Sequence, residues 1–95
     1  VIPDSVTYMD STFDGCTSLV NAPVIPDTVT KMGYTFNGCT KLSGIVIINS
    51  SKVIHAYYAF FDTSKQITVK VPKDSTTYDI FSNSDLPSNV TLTTY

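Results

Sequence analysis

Ninety-five residues are enough for one domain, but a compact globule of that size buries its core only marginally. A net charge of −2, from six Lys and eight Asp with no Arg or Glu, supplies no basic patch for nucleic acid and too little charge for a disordered acidic tail. Thr and Ser together contribute 25 residues and Leu only four, so the composition favours short strands and turns over helices.

The chain opens on a repeat. Residues 1–23 read VIPDSVTYMDSTFDGCTSLVNAP, and residues 24–46 read VIPDTVTKMGYTFNGCTKLSGIV. Thirteen of these 23 positions are identical, among them Pro3/Pro26, Val6/Val29, Met9/Met32, Phe13/Phe36, Gly15/Gly38, Cys16/Cys39 and Leu19/Leu42. Self-similarity at a fixed period of this length marks a stacked repeat architecture. Neither apolar stretch of a copy buries its face alone, and stacking places like residue on like, about 4.8 Å apart. The expected interior ladders are Leu19/Leu42, Val6/Val29/Val53, Met9/Met32/Ala56 and Phe13/Phe36/Phe60. Pro-Asp after the first stretch is a turn signal, with the Asp4 and Asp27 side chains expected to cap backbone N–H groups. Gly15 and Gly38 are expected to supply an unusual backbone angle at a second bend.

A third copy, over 47–72, is degraded. One extra residue enters near Ser50-Ser51-Lys52, so Val53 answers Val29, Ala56 answers Met32, Tyr58 answers Tyr34 and Phe60 answers Phe36 at an offset of 24. Asp62-Thr63 stand where the earlier copies have Gly-Cys. A further strand is expected at Ile67–Pro72, after which the sequence pattern stops.

Residues 73–95 read as a cap. Asp74-Ser75-Thr76-Thr77 offers capping side chains for a short helix through Tyr78-Asp79-Ile80-Phe81. Ser82-Asn83-Ser84-Asp85, with Pro87 beyond, ends it. Val90-Thr91-Leu92-Thr93 alternates like a last strand, and Ile80, Phe81 and Leu92 are expected to cover the end of the core.

These elements resemble the BspA-like, or Treponema-type, leucine-rich repeats. The resemblance is carried by Thr12-Phe13, Gly15-Cys16, Leu19 and Ile25-Pro26-Asp27-Thr28-Val29-Thr30. It is strong over 1–46 and fair over 47–74. It implies a mainly β leucine-rich-repeat solenoid of about three 23-residue coils (1–23, 24–46, 47–72) with a C-terminal cap at 73–95. The chain then reads as the C-terminal end of a longer array. It also implies a surface or secreted protein associated with adhesion, host or extracellular-matrix contact and protein binding. A shared fold names no ligand.

The chemistry-bearing residues are few. Cys16 and Cys39 occupy one repeat position, and their side chains are expected to point the same way as buried thiols, which is poor geometry for a disulfide. His55 is the lone His and maps to another ladder, so no metal site, cofactor site or catalytic group is expected. Paired Thr at 7/30, 12/35 and 17/40 reflect β propensity more simply than an ice-binding face. Asn49-Ser-Ser51 and Asn89-Val-Thr91 match a glycosylation pattern that is short enough to arise by chance. The best candidates for ligand contact are the outward residues Tyr8, Lys31 and His55, which share one ladder, with Tyr34 and Tyr58 on another and Tyr57 beside them, because exposed aromatics among polar groups are common binding material. The expectation is a non-catalytic module that recognises a protein, not nucleic acid, and does not itself insert into a membrane. A ligand-free spacer is the alternative, and a carbohydrate-binding surface is the third. The unpaired edge of the first coil also invites dimerisation.

Overall fold

The Val- and Ile-rich stretch that closes each repeat makes the sheet. The computed structural model describes residues 2–84 and 86–95; Val1 of the first repeat and Asp85 at the expected end of the helix lie outside the described residues. The chain is mostly β, with strands β1 (Gly44–Ile47), β2 (Ile67–Val71) and β3 (Val90–Thr94) and one helix, α1 (Thr76–Ser82), between β2 and β3. The strands form an open parallel sheet in the order β1-β2-β3. Gly44 pairs with Ile67 and Ile67 with Val90, so each strand lies over the next at a spacing of 23 residues. Beyond β1 the ladder continues as a single bridge from Ile25 to Ile48, with Ile25 N–H donating to the Ile47 carbonyl at 2.9 Å.

Alternation along the strands decides what is buried. Val46, Ile67, Val69, Val71 and Val90 face inward and are buried, whereas Ile45 and Ile47 point out and are exposed.

Among the described residues the second side of the molecule is joined by isolated bridges instead of a regular strand. Tyr8, Lys31 and His55 form parallel bridges, one above another. From there a regular series of hydrogen bonds joins the turns of chain. N–H groups of Met9, Ser11, Phe13 and Gly15 donate to the carbonyls of Lys31, Gly33, Thr35 and Asn37 at 2.7–2.9 Å. Met32, Tyr34, Phe36 and Gly38 donate in the same way to His55, Tyr57, Ala59 and Phe61, one residue further on than the repeat of the first series would place them. That step is the inserted residue read in the sequence. It is undone before Gly44 N–H meets the Gln66 carbonyl at 3.1 Å, so the strands return to the 23-residue register. A one-residue slip that persisted into β2 would turn its buried face outward.

Two backbone bends recur in each turn of chain, both in the left-handed region. One comprises Ser11, Tyr34 and Tyr58, with φ of 58°, 57° and 53°. The other comprises Gly15 and Gly38, with φ of 75° and 76°, and then Asp62 at 57°. Asp is among the few non-glycine residues that tolerate this region. The loss of the Gly-Cys pair therefore leaves the bend intact.

The expected interior ladders are present. Met9, Met32 and Ala56 are buried, as are Val29 and Val53, Phe36 and Phe60, and Leu42. The first-repeat members Val6, Phe13, Cys16 and Leu19 are only partly buried, because no described segment covers their outer side. Phenylalanines stack along the axis: Phe13 on Phe36 at 5.5 Å between ring centroids, Phe36 on Phe60 at 5.3 Å, and Phe60 against Phe81 of α1 at 6.2 Å.

Residues 73–95 leave the repeat in sequence but not in register, since β3 continues the same 23-residue spacing. Helix α1 starts at Ser75, whose hydroxyl accepts from Tyr78 N–H at 3.1 Å and donates to the Pro72 carbonyl at 2.6 Å. Thr77 ties the helix down. Its buried hydroxyl donates to the Ser50 carbonyl at 2.6 Å and accepts from Val53 N–H at 3.0 Å. Phe81 is fully buried over Phe60, while Ile80 and Leu92 only partly cover the core.

One sequence expectation is corrected. The turns after Pro3 and Pro26 exist, with Val6 N–H on the Pro3 carbonyl at 3.1 Å and Val29 N–H on the Pro26 carbonyl at 3.3 Å. Yet Asp4 and Asp27 are exposed, and among the described residues their carboxylates accept no hydrogen bond. Proline's fixed φ and the backbone bond close these turns. The side-chain contact is made by the next residue, Thr28, which donates to the Val6 carbonyl at 2.7 Å.

Candidate recognition surface

Of the six residues singled out in the sequence, three are joined by the parallel bridges, Tyr34 and Tyr58 sit at left-handed bends, and Tyr57 stands between His55 and Tyr58. Tyr8, Lys31 and His55 occupy successive rungs. Lys31 Nζ sits 4.8 Å from the centre of the Tyr8 ring, a cation–π arrangement. On the next rung the His55 and Tyr57 rings lie 5.6 Å apart. Tyr34 and Tyr58 form the neighbouring row, with ring centroids 5.4 Å apart, and Phe61 meets Tyr58 edge-on at 5.4 Å. Tyr8 and Tyr57 are each 64% exposed.

The two rows meet in a shallow depression of about 310 Å³ lined by Lys31, Tyr34, His55 and Tyr57 together with Asp10 and Gly33. Asp10 was not singled out in the sequence. Its carboxylate accepts from Gly33 N–H at 2.8 Å, and a Cβ on Gly33 would approach that oxygen to 3.3 Å. Glycine at 33 thus admits the Asp10 carboxylate close to the backbone. The signal was present in the sequence as an Asp10/Gly33 pair one period apart, but neither residue is repeated.

A second, larger depression of about 400 Å³ lies between residues 54–58 and α1. Tyr57 and Tyr58 form part of its wall, so it adjoins the first. Ile54, Asp79, Ile80 and Asn83 also line it. Sequence reasoning missed it, because its two sides come from segments at least 18 residues apart that obey different rules, a repeat and a helix.

The other marked groups are structural. Cys16 and Cys39 are free, and the Cys39 thiol donates to the Phe13 carbonyl at 3.1 Å. Burial pushes its pKa above the ordinary 9.0, with the backbone contact at Cys16 acting in the opposite sense and the nearby Cys16 and Asp14 adding to the rise. Asn89, in one of the glycosylation patterns, uses its side-chain amide to donate to Thr63 Oγ1 and the Lys65 carbonyl at 2.9 and 2.8 Å. Among the described residues no three His, Cys, Asp or Glu side chains gather as metal ligands would, and no helix is long and apolar enough to cross a membrane.

The period, the Phe and Gly-Cys ladders and the parallel stacking together define a leucine-rich-repeat chain. The family model for the BspA type leucine rich repeat region matches residues 1–94, in six copies, and the chain belongs to that family. Comparison with curated proteins and with solved structures gives no match.

Proposed function

We propose that the chain is a non-catalytic recognition module, a segment of a leucine-rich-repeat solenoid of a cell-surface or secreted protein, that binds a protein ligand through the face carrying Tyr8, Lys31, Tyr34, His55, Tyr57 and Tyr58. The observation that carries the reading is the continuity of that face. Five aromatic rings, those of Tyr8, Tyr34, Tyr57, Tyr58 and Phe61, stand exposed with Lys31 and His55 between them. Stacked repeats commonly use such extended surfaces for binding, and membership of the BspA type family supports an interaction or adhesion role. Large rigid aromatic side chains lose little conformational entropy on binding and dominate interface energetics.

The test is a double substitution, Tyr34→Ser with Tyr58→Ser. Ser11 already occupies the same rung position with the same left-handed backbone, so serine adopts the bend there as the tyrosines do. Wild-type and variant chains are applied to immobilised extracellular-matrix proteins and to a glycan array. Retention on a protein, lost in the variant while the melting temperature holds, is the expected result. A chain that binds nothing in either form is a spacer, and tyrosine-dependent retention on polysaccharide alone marks a carbohydrate-binding surface; either overturns the proposal.

A further inference from the structure

The larger depression has a chemistry of its own. Its floor and sides are apolar, from Ile54 and Ile80, and two exposed tyrosines, Tyr57 and Tyr58, rise beside it. On the helix side stand Asp79 and Asn83. Among the described residues the Asp79 carboxylate accepts no hydrogen bond; the contacts to this residue go to its backbone carbonyl, from Ser82 Oγ at 3.2 Å and from Asn83 Nδ2 at 2.9 Å. The Asn83 amide therefore spends a donor on the helix end and leaves its oxygen as an acceptor. No Lys or His lines the depression. It is thus a largely apolar slot lined also by a carboxylate, an amide oxygen and two tyrosine rings, with no cationic residue among its lining.

We propose that this slot receives an arginine side chain of a protein ligand. The inference rests on the recognition reading above and names the chemistry of one contact within it. An arginine has the matching parts in sequence: an apolar stem to lie against Ile54 and Ile80, and a planar cation that stacks on tyrosine and donates to a carboxylate at once. A volume of about 400 Å³ is at the small end of ligand pockets, roughly 300–1,000 Å³, which suits one side chain better than a folded element. A neutral sugar is the weaker match. It brings no positive charge to answer the Asp79 carboxylate, which a guanidinium supplies.

The experiment is an NMR titration of the whole chain with acetyl-arginine amide, run beside acetyl-glutamate amide and methyl glucoside. The expected result is saturable shifts of the Ile54, Tyr57, Tyr58, Asp79 and Asn83 amides with the arginine probe, and none with the other two. Asp79→Asn, which removes the charge and keeps the shape of an exposed side chain, should weaken arginine binding about tenfold, and Tyr57→Ser should weaken it several-fold. Shifts scattered over the surface, equal binding of the glucoside, or an unchanged affinity in Asp79→Asn with the fold intact each overturns the inference. Because Asp79→Asn leaves Tyr34, Tyr57 and Tyr58 in place, protein binding that survives it unchanged sinks the arginine slot and leaves the recognition reading standing.

Discussion

Replacing Phe36 by Ala tests the axial phenylalanine stack at its centre. Phe36 is fully buried and stacks on Phe13 at 5.5 Å and on Phe60 at 5.3 Å, with interplanar angles of 7° and 17°. Truncating a buried Phe costs about 3–5 kcal/mol, and the two ring contacts place this one at the upper end. A chain of this size has on the order of 5–15 kcal/mol in total, so most of its stability is at stake. Phe13→Ala is the internal control. Phe13 is partly buried and stacks on Phe36 alone among the described pairs, so its truncation should cost about half as much, roughly 2 kcal/mol. In urea, with a slope of about 1.5 kcal/mol/M, the midpoint should fall by roughly 3 M for Phe36→Ala and by about 1 M for Phe13→Ala. Equal shifts for the two variants would refute the stacking argument, because then position in the stack would not matter.

The other expectations are smaller. Thr77→Val keeps the shape but strips the hydroxyl that serves both Val53 N–H and the Ser50 carbonyl, so it should cost about 2–3 kcal/mol and speed hydrogen exchange at the Val53 amide before it affects Met9. Ser75→Ala removes the cap of α1 and should lower stability by about 1 kcal/mol, seen as a lower melting temperature. Gly15→Asn should be tolerated and Gly15→Val should not. Nothing lies within 4 Å of a Cβ there, so the difference reports the left-handed φ of 75° alone, read as a gap of about 1 kcal/mol in urea unfolding. With rising pH the fold should weaken. Burial raises the pKa of Cys39 and of Tyr95 in the folded chain, so their contribution is complete below the ordinary thiol value of 9.0 and fades above it as the unfolded chain ionises first. The slope of melting temperature against pH should therefore turn downward past about pH 9, and Cys39→Ala should soften that turn.

Repetition is why so much of the interior was legible. When the same residue type recurs at one spacing, a single stacking rule assigns every copy, and the Met9/Met32/Ala56 and Phe13/Phe36/Phe60 ladders followed from it. Helix α1 was legible for a different reason, since Ser75 and the residues after it carry a local capping signal that needs no tertiary context. The candidate surface was half legible. Outward positions on a known rung, such as Tyr8, Lys31 and His55, come from the period, and so does the adjacency of Tyr34 and Tyr58. Asp10 and the slot beside α1 do not, because no repeated residue marks them. The Asp4 and Asp27 capping expectation failed because a Pro-initiated turn is closed by its backbone bond, and the side-chain contact passed to Thr28.

The sequence by itself determined the 23-residue period, the identity of the inward ladders and helix α1 with its capping Ser75. Each depends on contacts between equivalent residues or on neighbours along the chain. Only the tertiary structure decided how the irregularities are absorbed. The extra residue near 50–52 is cancelled before β2, so the buried face of the sheet is preserved, and Asp62 takes over a glycine's left-handed bend. It also decided where α1 lies, through the Thr77 hydroxyl and the contact of Phe81 with Phe60, and so created the slot whose two walls the chain never places side by side in sequence. Such features depend on packing between unlike segments, for which a period carries no information.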